Sequence, residues 1–204
     1  NNAFAGASFH AVRLSGADLT SARNLPGHMA ACTFHDCRMG GRDLTATDLS
    51  GCTFHAADLQ RSLLRHAELD GAVFTECDLR DADLRCALLP GAVLNDTELG
   101  GADLDLADLS GAVLTRCGLE STGLARCDLT ESRLSGCRMA GARLDDTDLR
   151  AAEISAADLS TAALDGSTLS GVTVANSRMD EASLAGAELA GAVFSECGLR
   201  DADF

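Results

Sequence analysis

Tryptophan, tyrosine and lysine are absent from this 204-residue chain, proline occurs twice, and seven phenylalanines are its only aromatic residues. A core of large interlocking rings is therefore excluded, and a regular packing of small and medium side chains is the alternative. All 16 cationic side chains are arginine, set against 31 carboxylates, for a net charge of −15. That balance lacks the basic footprint of a nucleic-acid-binding protein, so no direct DNA or RNA contact is expected. It suits a basic protein partner or a solubilising coat. No apolar run approaches the roughly 20 residues of a membrane span, and no membrane partner is expected.

What the chain has instead is a period of five. Every fifth residue from Phe4 through Phe9, Leu14 and Leu19 to Leu199 and Phe204 is Leu, Phe, Met, Ile or Val, with Asn24 the one exception. Two residues before each of these the side chain is small, except at Asn2 and Arg42. Five fits neither the 3.6-residue period of a helix nor the alternation of a simple strand. A chain that turns a corner every five residues does satisfy it. Each short side then points its central large residue and the small one inward. The residue two after the centre falls at the corner, where 14 of the 20 glycines sit, Gly16, Gly51 and Gly111 among them. A tight turn benefits there from a missing Cβ.

The triplets Ala17-Asp18-Leu19, Ala57-Asp58-Leu59, Ala82-Asp83-Leu84, Ala102-Asp103-Leu104, Ala107-Asp108-Leu109 and Ala157-Asp158-Leu159 resemble the consensus of the pentapeptide-repeat family over the whole chain. The resemblance implies an all-β, right-handed quadrilateral β-helix with four pentapeptides per coil. Residues 1–204 then form one domain of about ten coils, with a rod length of roughly 50 Å at the ~4.8 Å strand spacing.

Eight of the nine cysteines (32, 37, 52, 77, 117, 127, 137 and 197) occupy the small inward position, where a thiol packs as a small hydrophobe. They read as core filler, not as a disulfide framework or metal cluster, and reduced thiols fit a cytoplasmic location. Cys86 alone falls at a corner, so it is expected to be the most accessible thiol.

Residues twenty apart share a face. The first face runs through Leu44, Leu64 and Leu84, the second through Leu49, Leu69 and Leu89, and the fourth through Leu19, Leu59 and Leu79. The third carries Leu14, Phe34, Phe54, Phe74 and Leu94, and its phenylalanines should stack in adjacent coils. Outside the second face, Asp48, Glu68, Asp108, Asp128, Asp148 and Glu188 form an acidic column without a basic member. The third face is β-branched and nearly uncharged through Thr33, Thr53, Val73, Val93 and Val113. Consensus Asp stabilising turns accounts for the acidic column in the plainest way. The resemblance implies more: bacterial members mimic double-stranded DNA in width and charge, engage DNA gyrase or topoisomerase IV, and protect them from poisons. On that basis the six acids are the candidate partner-binding surface.

No catalytic residues, cofactor or metal are expected, because a filled rod offers no concave, dry site. His35 and His55 should be neighbours in adjacent coils, but two imidazoles without a third ligand are ordinarily surface residues. One irregular coil is expected at Asn24, Pro26, Gly27 and Arg42, with a bulge turning Arg42 outward, since an unpaired buried guanidinium is too costly. The terminal coils leave apolar core uncovered. A homodimer through Phe194, Leu199 and Phe204 is the resulting expectation.

Overall fold

The computed structural model describes residues 7–22 and 25–204; Asn2, Phe4 and Asn24 lie outside the described residues. Ten three-residue strands recur every twenty residues, among them β1 (Arg13–Ser15), β2 (Thr33–His35), β3 (Thr53–His55), β4 (Val73–Thr75), β9 (Thr173–Ala175) and β10 (Val193–Ser195). They form one parallel sheet in sequence order, and this sheet is the third face. Register is strict: Phe34 faces Phe54 and His35 faces His55. The other three faces are held by single-residue parallel bridges at the same offset, such as Asp18 with Arg38, Asp43 with Leu63 and Asp48 with Glu68. The chain is thus a β-solenoid of four-sided coils, with nine turns between β1 and β10. At ~4.8 Å per turn the wall they build is roughly 43 Å tall.

Three of the four corners are closed turns. The amide of the small residue donates back to the carbonyl of the preceding central one, as from Cys52 to Leu49 at 3.0 Å and from Ala67 to Leu64 at 3.1 Å. The corner residue between them is left-handed. Every corner from Ala31 to Asp201 has positive φ, and most of these residues are not glycine. A side chain in that region costs roughly 1–2 kcal/mol, and the coil tolerates it because both flanking segments are pinned by inward side chains and ladder hydrogen bonds. Leu106 is such a corner, at φ 66° and half exposed. Leu106→Gly is therefore expected to raise stability by about 0.5–1 kcal/mol, after the extra unfolded-chain entropy of glycine is deducted. A lower midpoint in urea unfolding would contradict the strain argument.

The inward columns are as the period demands. Phe34, Phe54, Phe74 and the central leucines from Leu44 to Leu184 are buried. The three phenylalanine rings stack, with centroids 4.9 and 4.7 Å apart and planes within 7°. Seven cysteines are buried, and Cys86 and Cys197 are half-buried. Burial pushes the Cys52 and Cys127 thiols up to about 12, so they are poor nucleophiles. Several polar members of the small column donate to a carbonyl 23 residues back, as from Thr147 Oγ1 to Leu124 at 2.7 Å and from Ser167 Oγ to Leu144 at 2.6 Å, which pairs buried donors. The buried Ser62 and Ser132 hydroxyls, in contrast, have no partner among the described residues.

The expected irregular coil departs from the repeat at Pro26 and Gly27, but the bulge expected at Arg42 needs correction. Arg42 has a regular backbone: its amide donates to the Met39 carbonyl at 3.1 Å and its carbonyl accepts from Leu63 at 2.8 Å. No bulge turns it outward. The side chain is half-buried, Nη1 donates to the Thr20 carbonyl at 3.2 Å, and Nε is buried without a partner. A nearby carbonyl relieves most of the cost that the bulge was expected to avoid. Among the described residues, the departure lies at residues 25–27, which include the expected Pro26 and Gly27. Proline cannot adopt the left-handed corner, and Pro26 is buried while Gly27, in the small position, is exposed. Pro26 also lacks the corner amide that elsewhere donates one coil onward, as from Ala31 to Ser50 at 2.8 Å. The twenty-residue offset nevertheless survives, since Asp48 donates to the Gly27 carbonyl at 2.9 Å.

Candidate functional site

Position fixes the role of the repeated aspartate first. It stands one residue before the buried centre, so its carboxylate folds over the corner and accepts the amide two residues on. Asp48 accepts from Ser50, Asp108 from Ser110, Asp128 from Thr130 and Asp148 from Arg150, at 2.9–3.1 Å. These are Asx turns, and the same bond recurs on other faces at Asp18, Asp58 and Asp158. One carboxylate oxygen at each site is thus committed to the fold. The other remains available to a side chain, as where Asp148 Oδ2 accepts from Arg150 and Asp18 Oδ2 from Arg38.

The second face stacks these groups into a column. Asp48 bridges to Glu68, Leu88 to Asp108, Asp108 to Asp128 and Asp128 to Asp148, with Thr168 before Glu188. Asp108, Asp128 and Asp148 occupy three consecutive coils, so their carboxylates repeat at ~4.8 Å. Leu88, largely exposed, and Thr168 interrupt the run.

Pairing with arginine separates this face from its neighbours. On the first and fourth faces several acids are ion-paired: Asp18 with Arg38, Asp78 with Arg80, Asp83 with Arg65 and Arg85, and Glu98 and Glu120 with Arg138. On the second face Arg150 pairs with Asp148 at 2.6 Å and His28 lies 3.7 Å from Asp48. The Arg150 guanidinium and the Ser50 amide respectively hold the Asp148 and Asp48 carboxyls below their ordinary range. Glu68, Asp108, Asp128 and Glu188 have no cationic partner among the described residues. The sequence places all six acids in one column, and four of them have no ion pair among the described residues, with Arg150 acting on Asp128 and Glu188 from a distance.

The paired face supplies a pH test. Asp83 is largely buried between two arginines, and hydrogen bonds from Arg85, then Arg65, lower its pKa to about 2. A depressed carboxyl stabilises the fold above its unfolded value near 4, and the stabilisation is lost as pH falls through about 2. Asp83→Asn should cost about 1–2 kcal/mol at pH 7, discounted because both arginines are partly exposed. The variant and wild-type unfolding curves should converge near pH 2. A constant difference across that range would mean that the loss is packing and not charge.

The remaining candidates are placed as follows. Phe204 and Leu199 are exposed, Phe194 is half-buried, and the Phe194 and Phe204 rings meet edge to face at 6.3 Å. His35 and His55 stack at 4.7 Å. Asp36, at the corner after His35, joins them with its carboxylate 3.0 Å from His35 Nε2. Sequence reasoning passed over Asp36 because a corner residue has no fixed direction until the turn is built. A hollow of about 290 Å³, lined by Arg13, Ser15, Thr33 and His35, opens beside this group. No helix among the described residues is long and apolar enough to cross a membrane.

A four-sided solenoid with a five-residue repeat defines the class of protein. Residues 29–65, 57–96, 92–130, 127–166 and 167–204 match the pentapeptide repeats, and the chain belongs to that family. Among solved structures, a trypsin-treated variant of QnrB1, a plasmid-mediated fluoroquinolone resistance protein, is similar at a TM-score of 0.53 and 26% identity, covering 91% of each chain. HetL, a pentapeptide repeat protein involved in heterocyst differentiation regulation in the cyanobacterium Nostoc sp. strain PCC 7120, is 28% identical, with a TM-score of 0.45 over 95% of this chain and 85% of its own. No curated protein sequence matches.

Proposed function

We propose that the protein is a non-enzymatic DNA mimic that binds a type II topoisomerase, DNA gyrase or topoisomerase IV, and protects it from inhibitors. The observation that carries this reading is the column on the second face, where Glu68, Asp108, Asp128 and Glu188 stand without an ion pair among the described residues. Within the consecutive coils a carboxylate recurs every ~4.8 Å, comparable with one phosphate per about 3.4 Å along a DNA strand. Such a wall suits a basic groove built to hold a duplex. The likeness to QnrB1 supports the same choice. The reading includes a cytoplasmic setting, supported by nine free thiols. It also includes a two-fold homodimer through the C-terminal coil, supported by the exposure of Leu199 and Phe204.

The test is gyrase supercoiling and topoisomerase IV decatenation, each with a fluoroquinolone, with and without the protein. Wild type should restore activity in the presence of the poison. The variant Glu68→Gln/Asp108→Asn/Asp128→Asn/Glu188→Gln removes four charges while amide oxygens keep the Asx acceptors, so it should fold and yet bind about tenfold or more weakly. Equal protection by this variant would overturn the role of the acidic wall.

A second reading has its own support, namely the Asx bonds of Asp48, Asp108, Asp128 and Asp148. Under it the aspartates serve the turns, and the rod is a structural interaction module or the repeat domain of a larger bacterial protein with no topoisomerase role. A folded rod without effect on either enzyme favours that reading.

A further inference from the structure

We propose that His35, Asp36 and His55 form a binding site for one zinc-class dication on the third face, independent of the acidic wall. β2 and β3 are paired in register, which places His55 directly above His35. The imidazoles stack with centroids 4.7 Å apart and planes at 29°. Asp36 is left-handed at φ 51°, and its amide donates to the His55 carbonyl at 2.9 Å. The backbone therefore ties all three residues together and returns the Asp36 carboxylate to the rings. One ligand atom from each lies within 4.8 Å of the other two.

A second observation points to a ligand here. His55 Nδ1 is buried and has no hydrogen-bond partner, a state that native proteins seldom leave uncompensated. Nδ1 thus has no protein partner among the described residues that would compete with a metal for its lone pair. Tetrahedral ligation at 2.0–2.1 Å requires ligand atoms about 3.3 Å apart, so the cluster must close by about 1–1.5 Å. His35 and Asp36 are both well exposed at their side chains and can turn about χ1 while the ladder holds their Cα atoms. Two imidazoles and one carboxylate select a borderline ion such as Zn²⁺ over Ca²⁺ or Mg²⁺, which require mostly oxygen donors. Three protein ligands leave a coordination position open to water or to a donor from another molecule.

The test titrates ZnCl₂ calorimetrically into metal-free, reduced protein, with Co²⁺ as a spectroscopic substitute. Wild type should bind one ion per chain, and the Co²⁺ complex should lack thiolate charge-transfer absorption. His35→Ala, Asp36→Asn and His55→Ala should each weaken binding at least tenfold, whereas Cys86→Ser should leave it unchanged. Melting in EDTA verifies the fold of each variant. If His55→Ala fails to fold, the two exposed positions carry the test. Absence of saturable binding, binding that survives the substitutions, or a thiolate band lost in Cys86→Ser would each overturn the site.

Discussion

Phe54→Ala is expected to destabilise the protein by about 3–5 kcal/mol, the range for deleting a fully buried phenylalanine. The ring lies between Phe34 and Phe74, with centroids 4.9 and 4.7 Å away, and is 1% exposed. A globular core relaxes into such a void. Here the parallel ladder on either side fixes the spacing of β2, β3 and β4, so the neighbouring rings cannot close on each other and the cavity persists. Leu94, Leu114 and Leu134 continue the same column fully buried, so Phe54→Leu should cost far less, about 1 kcal/mol. The damage should also be local, because each coil contacts only its neighbours. Hydrogen exchange should accelerate across β2 to β4 and remain slow around Leu144 and Leu164. A loss below 1 kcal/mol, or uniform acceleration along the rod, would contradict this account.

If the proposed homodimer forms through the C-terminal coil, Phe204→Asp is expected to abolish it. Phe204 is 57% exposed, Leu199 37% and Val193 53%, whereas Leu184, one coil earlier in the Phe204 column, is 1% exposed. The central side chain that a following coil covers at Leu184 is exposed at Phe204, and an unpaired strand edge is a template for another chain. A second copy meeting it end to end supplies both the missing apolar cover and new strand partners. The rods would join into one of about twice the length. Light scattering at high micromolar concentration should give a dimer for wild type and a monomer for Phe204→Asp, with similar thermal midpoints for the individual coils. A strictly monomeric wild type would sink the proposal. Phe74→Asp should instead destroy the fold, since that side chain is buried inside the ladder.

The inside of this protein was determined by its sequence alone. A five-residue period has one solution in which large and small side chains both point inward, and it places Phe34, Phe54, Phe74 and the column cysteines inside. Their strict twenty-residue register also assigned His35 to His55 and Asp108 to Asp128. The outside was decided by tertiary structure, because a carboxylate's charge depends on what its rotamer reaches. Asp83 meets two arginines, one of them eighteen residues away, while Asp108 meets its own turn amide and no cation. Each stands in an Ala-Asp-Leu triplet of identical sequence. The corner beginning at Leu25 and the half-buried Arg42 show the same division. The sequence located the conflict between proline, an arginine and the repeat. Only the built coil showed that the backbone absorbs it at Pro26, where φ cannot be positive, while the guanidinium finds the Thr20 carbonyl in the coil before.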